Sequence, residues 1–376
     1  MKFIHTADLH LGKNVNGFSM LEDQRHILFQ IGKIIGEQKP DALFIAGDIY
    51  DKAIPPEDAV QLFEEFLEDV SGMGVGVFAV SGNHDSAVRF SFGSKLMRKS
   101  GIHFAHPFSG RSEPVLLSDE FGDVCVYMLP FVKPASVRRY FPDQEIDSYE
   151  KAVECCVKSM GLDSSKRNVL LAHQFVTGAQ RSDSEELSVG GMDNVSAEIF
   201  DGFDYVALGH IHGPQNIGRK TLRYSGTPLK YSFSECGHKK SLTLVSLAEK
   251  GNVSVEEIPL KPLHDMRLLR GSFEEVCGMS KSGDFDSNDY VGVILTDEDE
   301  VPSGSEKLRS LYPNLMSLEY DNSRTRLSVQ IESLDDVRGI SPLELFDMLY
   351  EQQNARHLSD VQSKYLCAMI ERIRGN

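Results

Sequence analysis

The chain has 376 residues, 41% of them hydrophobic and 25% charged, and a net charge of −17. That length allows about two or three domains, and no apolar run approaches the roughly 18 residues that a membrane span requires. The acidic balance speaks against a generally basic, nucleic-acid-binding surface, while six cysteines without a CxxC pair point to a reduced, cytoplasmic chain in which they pack.

Lys2–His10 (KFIHTADLH) reads as a first strand rather than a signal peptide. A helix follows over Leu21–Lys39, with Leu21, Leu28, Ile31, Ile34 and Ile35 at helical spacing and a stop before Pro40. Asp41–Asp48 is a second strand. Glu57–Val70, behind Pro55-Pro56 and ending at Gly72, is a second helix, and Gly76–Asp85 a third strand. A helix over Tyr149–Met160 precedes strands at Asn168–Phe175 and Asp204–His212. These strands are apolar until their last positions, as strands buried on both faces are. Alternating with helices, they predict a layered α/β core whose ligands gather at the carboxyl ends of the strands. Beyond His212 the pattern changes to hairpins (Asn216–Gly226, Lys240–Leu247, Asn252–Leu260), expected to complete a second sheet. A β-α-β-α-β unit begins near His264. Its elements are Met266–Phe273, a helix near Phe273–Met279, Tyr290–Thr296, a helix near Ser305–Tyr312, and Asn314–Tyr320. From Ser341 two helices open with capping boxes, Ser341–Glu344 and Ser359–Gln362. Each has an apolar stripe, and behind the linker SLDDVRG they suit a docking arm.

Every strand that ends in the α/β region ends in polar residues: Asp8 and His10, Asp48, Asn83 and His84, His173, His210 and His212. Were the chain extended there, the i, i+2 pairs would aim two side chains at one place. Carboxylate, amide and imidazole ligands without a thiolate suit manganese, iron or zinc. Two such ions need a bridging carboxylate, for which Asp48 is placed best. Gly47, Gly82 and Gly209 would let the backbone approach closely. Two divalent ions outweigh Asp8 and Asp48, which favours an anionic substrate and attack of hydroxide on phosphorus: phosphate-ester hydrolysis. His84 is set apart as the group serving the leaving oxygen, with Asp51 or Asp85 orienting it. His5, His26, His103, His106, His238, His264 and His357 read as ordinary polar residues, and Asp297–Glu300 as a solvated turn. Arg138-Arg139, Arg219-Lys220 and Lys239-Lys240 could grip phosphates, but as isolated pairs they read as solvated surface.

The motifs IHTADLHLGK, AGDIYDKAIPP, SGNHDS, LAHQFVTGA, GHIHGPQ and YSGTPLKYSFSE give the chain a family. It resembles the calcineurin-like metallophosphoesterases and, more narrowly, the SbcD family, the nuclease subunits of bacterial SbcCD DNA-repair exonucleases. The resemblance implies a two-sheet α/β metallophosphoesterase sandwich over 1–262, a smaller α+β capping domain over 263–333, and a linker with a C-terminal helical hairpin over 334–376. It implies one metal held by Asp8, His10, Asp48 and His212 and another by Asp48, Asn83, His173 and His210. His84 would be catalytic with Asp51 beside it, and the metals two manganese ions. The implied activities are exonuclease action on duplex ends and endonuclease action on single strands or hairpins. The implied partner is an SbcC-type coiled-coil ABC ATPase docked on the C-terminal tail, with a homodimer of this chain inside a heterotetramer. No GxxxxGK[ST] motif occurs here, so ATP falls to that partner. Archaeal and eukaryotic relatives carry a second histidine where Asp51 stands. The competing readings are a phosphoesterase for nucleotides or phosphoproteins and a scaffold without catalysis; a full set of seven ligands plus His84 favours activity.

Overall fold

The computed structural model describes residues 1–185, 194–280, 288–326, 342–354 and 356–374. They fall into two units, Met1–Arg267 and Leu268–Asn376. In the first, the chain runs β1 (Lys2–Thr6), α1 (Leu21–Gln38), β2 (Ala42–Ala46), α2 (Glu57–Gly72), β3 (Gly76–Val80), β4 (Ile102–Phe104), β5 (Val115–Asp119), β6 (Gly122–Leu129), α3 (Tyr149–Ser159), β7 (Arg167–His173), β8 (Tyr205–Gly209), β9 (Gln215–Ile217), β10 (Arg219–Tyr224), β11 (Ser241–Leu247) and β12 (Val253–Pro259). Shorter turns and two-residue ladders fill the gaps.

Two six-stranded sheets result, ordered β12-β11-β1-β2-β3-β4 and β9-β10-β8-β7-β6-β5. β1 to β4 are mutually parallel, as are β6, β7, β8 and β10. The apolar runs explain the stacking. Phe3, Phe44, Phe78 and Val80 of the first sheet meet Val126, Leu171, Tyr205 and Ala207 of the second in one buried core. The second sheet's other face buries Leu170, Leu208 and Tyr224 with Val153 and Cys156 of α3. α1 and α2 each bury one stripe, Ile27, Leu28, Ile31 and Ile35 on α1 and Leu62, Phe63, Phe66 and Val70 on α2. The cysteines Cys125, Cys155 and Cys156 are buried packing residues, and none of the six described cysteines is in a disulfide.

One expectation is corrected. The Ser241–Pro259 hairpin does not complete the second sheet but joins the first, where β11 pairs antiparallel with β1 at Phe3↔Val245 and Ile4↔Leu244. β1 is buried on both faces and would otherwise leave an apolar edge unpaired. The β9–β10 hairpin does belong to the second sheet. The β5–β6 hairpin and the short strand β4 were not foreseen.

The second unit follows the expected β-α-β-α-β order: β13 (Met266–Gly271, straddling the boundary), α4 (Phe273–Met279), β14 (Tyr290–Leu295), α5 (Gly304–Leu311) and β15 (Leu315–Tyr320). Val276, Val291, Val293, Leu295, Leu308 and Tyr312 form its core. Two helices close the chain, α6 (Pro342–Asn354) and α7 (Asp360–Arg374). Ser359 and Gln362 exchange the reciprocal bonds of a capping box at the start of α7. Ser341 and the SLDDVRG linker lie outside the described residues. No described helix is long and apolar enough to cross a membrane.

Candidate metal centre

The carboxyl ends of β1, β2 and β3 and of β7 and β8 bring all the polar clusters together. The backbone there is not extended. Asp8, His10, Asp48 and His210 have φ of 55°, 46°, 47° and 104°, the left-handed region that residues other than glycine seldom enter. Such strain persists only where surrounding structure enforces it, and it collects at functional sites. Here the Asp8 N–H donates to the Gly47 carbonyl at 3.0 Å and the His10 N–H to the Asp48 carbonyl at 2.9 Å, lacing two loops together. The consequence corrects the i, i+2 reading. Because β8 ends at Gly209, His210 and His212 point to neighbouring but different places.

His10 Nε2 lies 3.2 Å from His212 Nε2 and 3.8 Å from Asp48 Oδ2, and the ligand atoms of Asp8, His10 and His212 fall within 4.8 Å of one another. Beside them, His173 Nε2 lies 3.3 Å from Asp48 Oδ2 and 3.0 Å from Asn83 Oδ1, which is also 3.0 Å from His210 Nδ1. Asp48 is common to both groups. His84 Nε2 stands 4.0 Å from Asp48 Oδ2. Glycine makes these approaches possible: a Cβ on Gly209 would sit 1.8 Å from the Ala46 carbonyl oxygen, and one on Gly82 2.1 Å from Asp48 Oδ1.

Protonation tests whether these residues fit a metal. Ser184 Oγ is 2.5 Å from both Glu235 Oε1 and His212 Nδ1. Its one proton goes to the carboxylate, so it accepts from Nδ1–H of His212. His10 Nδ1 faces the Asp51 carboxylate at 3.5 Å. Burial lowers the pKa of both imidazoles, that of His10 to about 4. Two buried rings whose charging is opposed therefore bring their Nε2 atoms within 3.2 Å of each other, beside the Asp8 and Asp48 carboxylates, an arrangement that suits a cation between them. The second group tells the same story. His173 Nδ1–H donates to the Ala46 carbonyl at 2.8 Å. Burial opposes charging this ring, but the Asp48 and Asp8 carboxylates prevail and push it up to about 9, so a proton stands in for a cation. Burial, joined by the Asp48 carboxylate, raises Asp8 well above the usual range. Asp48 is pulled far below it by His173, His10 and His84 in spite of burial.

Asp51 does not orient His84 through its carboxylate, which is turned to His10 and to Lys13 Nζ at 2.6 Å. Its main-chain carbonyl accepts from His84 Nδ1–H at 2.9 Å instead. The Asp85 carboxylate accepts from the N–H groups of Ile49, Tyr50 and Gly82, tying the β2 and β3 loops together. Sequence reasoning missed Ser184, Glu185 and Glu235 altogether, and it placed Lys240 on the surface. Lys240 is buried instead, its Nζ 2.5 Å from Glu235 Oε2. The one available signal was Glu235, which closes the motif YSGTPLKYSFSE. Among the histidines set aside, His5, His106 and His264 are satisfied by Tyr205, Ser94 and Asp23 respectively.

Residues 1–214 match the calcineurin-like phosphoesterase family, and residues 262–354 match the Type 5 capsule protein repressor C-terminal domain. Over 380 residues the chain is 33% identical to the SbcD subunit of the SbcCD nuclease of Staphylococcus epidermidis, spanning 98% of this chain and 99% of that protein. A solved dimetal phosphatase from Danio rerio is 11% identical over 69% of this chain and 99% of its own, at a TM-score of 0.39, too remote a likeness to bear on the chemistry.

Proposed function

The chain belongs to the SbcD family of calcineurin-like phosphoesterases, and from that premise we propose that it is the metal-dependent nuclease subunit of an assembly with an SbcC-type coiled-coil ABC ATPase, hydrolysing DNA phosphodiester bonds at duplex ends and hairpins. The observation that supports this most is the convergence of buried ligand atoms, with His10 Nε2 and His212 Nε2 3.2 Å apart beside Asp8 and Asp48. In this reading Asp8, His10, Asp48 and His212 hold one divalent ion, and Asp48, Asn83, His173 and His210 the other. Oxygen and imidazole donors without a thiolate suit manganese. Held by these residues, two divalent ions would outweigh the charge of Asp8 and Asp48 and would supply attraction for an anionic phosphodiester and Lewis acidity.

His84 works beside them. The Asp51 carbonyl keeps its Nδ1 protonated, so a second proton, at Nε2, can be handed to the leaving oxygen. Asp51 and Lys13 steady His10. In this reading residues 1–262 are the nuclease domain, 263–333 the smaller α+β domain, and 334–376 the partner-binding tail. Exposed Leu345, Phe346, Leu349 and Met369 on the tail helices offer the apolar contacts for that docking. The assembly is a heterotetramer built on a homodimer of this chain, in the cytoplasm. A net charge of −17 makes DNA affinity weak without the partner.

The test is an end-labelled linear duplex incubated with manganese and the chain, with and without the ATPase and ATP, beside His84→Ala. Degradation by the wild type alone is expected. Intact DNA in every tube, with manganese bound, would overturn the nuclease reading.

A further inference from the structure

We propose that Ser184 and Glu235 form a buried relay that fixes the tautomer of His212, which makes both of them positioning residues for one of the two metals. The inference rests on the ligand reading above. The backbone of His212 is tethered on both sides. Its N–H donates to Glu185 Oε1 at 2.7 Å, and its carbonyl accepts from Lys240 Nζ at 2.9 Å and from the Thr227 N–H at 3.1 Å. At Nδ1 the ring meets Ser184, whose oxygen sits 2.5 Å from Nδ1 and 2.5 Å from Glu235 Oε1.

The hydroxyl between carboxylate and imidazole decides what the relay does. Glu235 Oε1 stands 3.7 Å from His212 Nδ1, beyond a direct hydrogen bond. A carboxylate in direct contact would itself accept from the ring, so the serine between them settles which atom the ring meets. The interposed hydroxyl gives its only proton to the carboxylate and so can only accept from the ring. It passes on orientation and assigns a ring proton to Nδ1, which turns Nε2 toward the ligand position. Outer partners of this kind orient a ligand and raise its basicity.

Glu235 is fully buried and Lys240 is 6% exposed. A buried ion pair adds little net stability compared with apolar packing, so its retention beside a ligand calls for another role. Lys240 Nζ ties the two ends of the network, reaching Glu235 Oε2 at 2.5 Å as well as the His212 carbonyl. The loop that carries Ser184 is seated on the same network, for the Asp183 N–H donates to Ser234 Oγ at 2.9 Å. The other rings are held differently, His10 by the Asp51 carboxylate and His173 by the Ala46 carbonyl. Loss of the relay therefore touches one metal alone.

The experiment titrates manganese into the full-length chain by electron paramagnetic resonance and reads the His212 ring nitrogens by NMR of histidine-labelled, metal-free protein. Ser184→Ala should weaken one of two sites by roughly 10–100-fold, leave the other unchanged and abolish the Nδ1–H signature. Ser184→Thr, which keeps the hydroxyl, should restore both. Glu235→Gln combined with Lys240→Met, which leaves no ammonium unpaired, should weaken the same site. Wild-type affinity at both sites in Ser184→Ala, or equal loss in the alanine and threonine variants, would overturn the relay. Failure of the wild type to bind manganese would overturn the ligand reading beneath it.

Discussion

Replacing Gly82 with alanine should disable the site and leave the fold standing. The Gly82 backbone is not in the left-handed region, so alanine meets no dihedral penalty and the effect is purely steric. The added Cβ would lie 2.1 Å from Asp48 Oδ1 and 2.6 Å from both its Cγ and its main-chain nitrogen, whereas real Cβ atoms stay at least 3.0 Å from their neighbours. Asp48 or the end of β3 must therefore give by about 1 Å. Asp48 is the carboxylate shared by both metal groups, and its Oδ1 also accepts the His84 N–H at 2.9 Å, so one displacement disturbs everything in reach. Misplacing a reacting constellation by about 1 Å costs roughly 100-fold in rate, while overpacking a well-packed position costs about 1–3 kcal/mol. The assay is manganese-dependent hydrolysis of a linear duplex in the presence of the ATPase, with bound manganese counted and thermal unfolding recorded on the same samples. Gly32→Ala is the control. Its Cβ meets nothing within 4 Å on α1, and it should keep full activity and gain about 0.5–1 kcal/mol. Gly82→Ala protein that binds two manganese ions and works at more than half the wild-type rate would refute the close-approach reasoning.

His84→Ala should lower turnover by roughly 10²–10⁴-fold with metal binding intact. Asp51→Asn keeps the carbonyl that holds His84 and should instead weaken manganese binding about tenfold, with turnover near wild type once manganese is saturating; a kcat loss matching that of His84→Ala would sink this division of roles. Lys240→Met removes the donors to Glu235, Thr227 and the His212 carbonyl and strands a buried carboxylate. The denaturant midpoint should report a loss of about 3–5 kcal/mol, partly recovered by adding Glu235→Gln, and a cost below about 1 kcal/mol would contradict it. His5 is held neutral between the Tyr205 hydroxyl and the Leu208 carbonyl, with burial and then Arg223 pushing its pKa down to about 3. The unfolded chain takes up the proton near 6.5 and the native chain does not, so this stability is intact above pH 6.5 and drains away as pH falls toward 3. Between pH 6.5 and 4.5 the loss is about 2.3 kcal/mol, and His5→Gln should show a shallower acid limb in the same denaturation series.

How much of this could be read beforehand depends on what brings residues together. Asp8, Asp48, Asn83, His173 and His210 were legible as one cluster because each ends a strand buried on both faces, and parallel strands in stacked sheets must deliver their carboxyl ends to the same side. The pairing of β1 with β11 was not, because nothing local ties Lys2 to Ser246; only the bare edge of β1, a property of the assembled sheet, requires it. The left-handed turns at Asp8, His10 and Asp48 escaped for a different reason. An alternating side-chain pattern reports the extended state, and it is silent once the chain has left it. Lys240 shows the limit most clearly. As half of a Lys-Lys pair it looks like solvated surface, and its burial follows from Glu235, whose own burial follows from Ser184 and His212, the latter on a strand end far along the chain. Each polar residue in that relay is costly to bury alone and becomes tolerable only with the others present. A sequence discloses the residues that chemistry demands one by one, but it hides those whose place depends on a network closing.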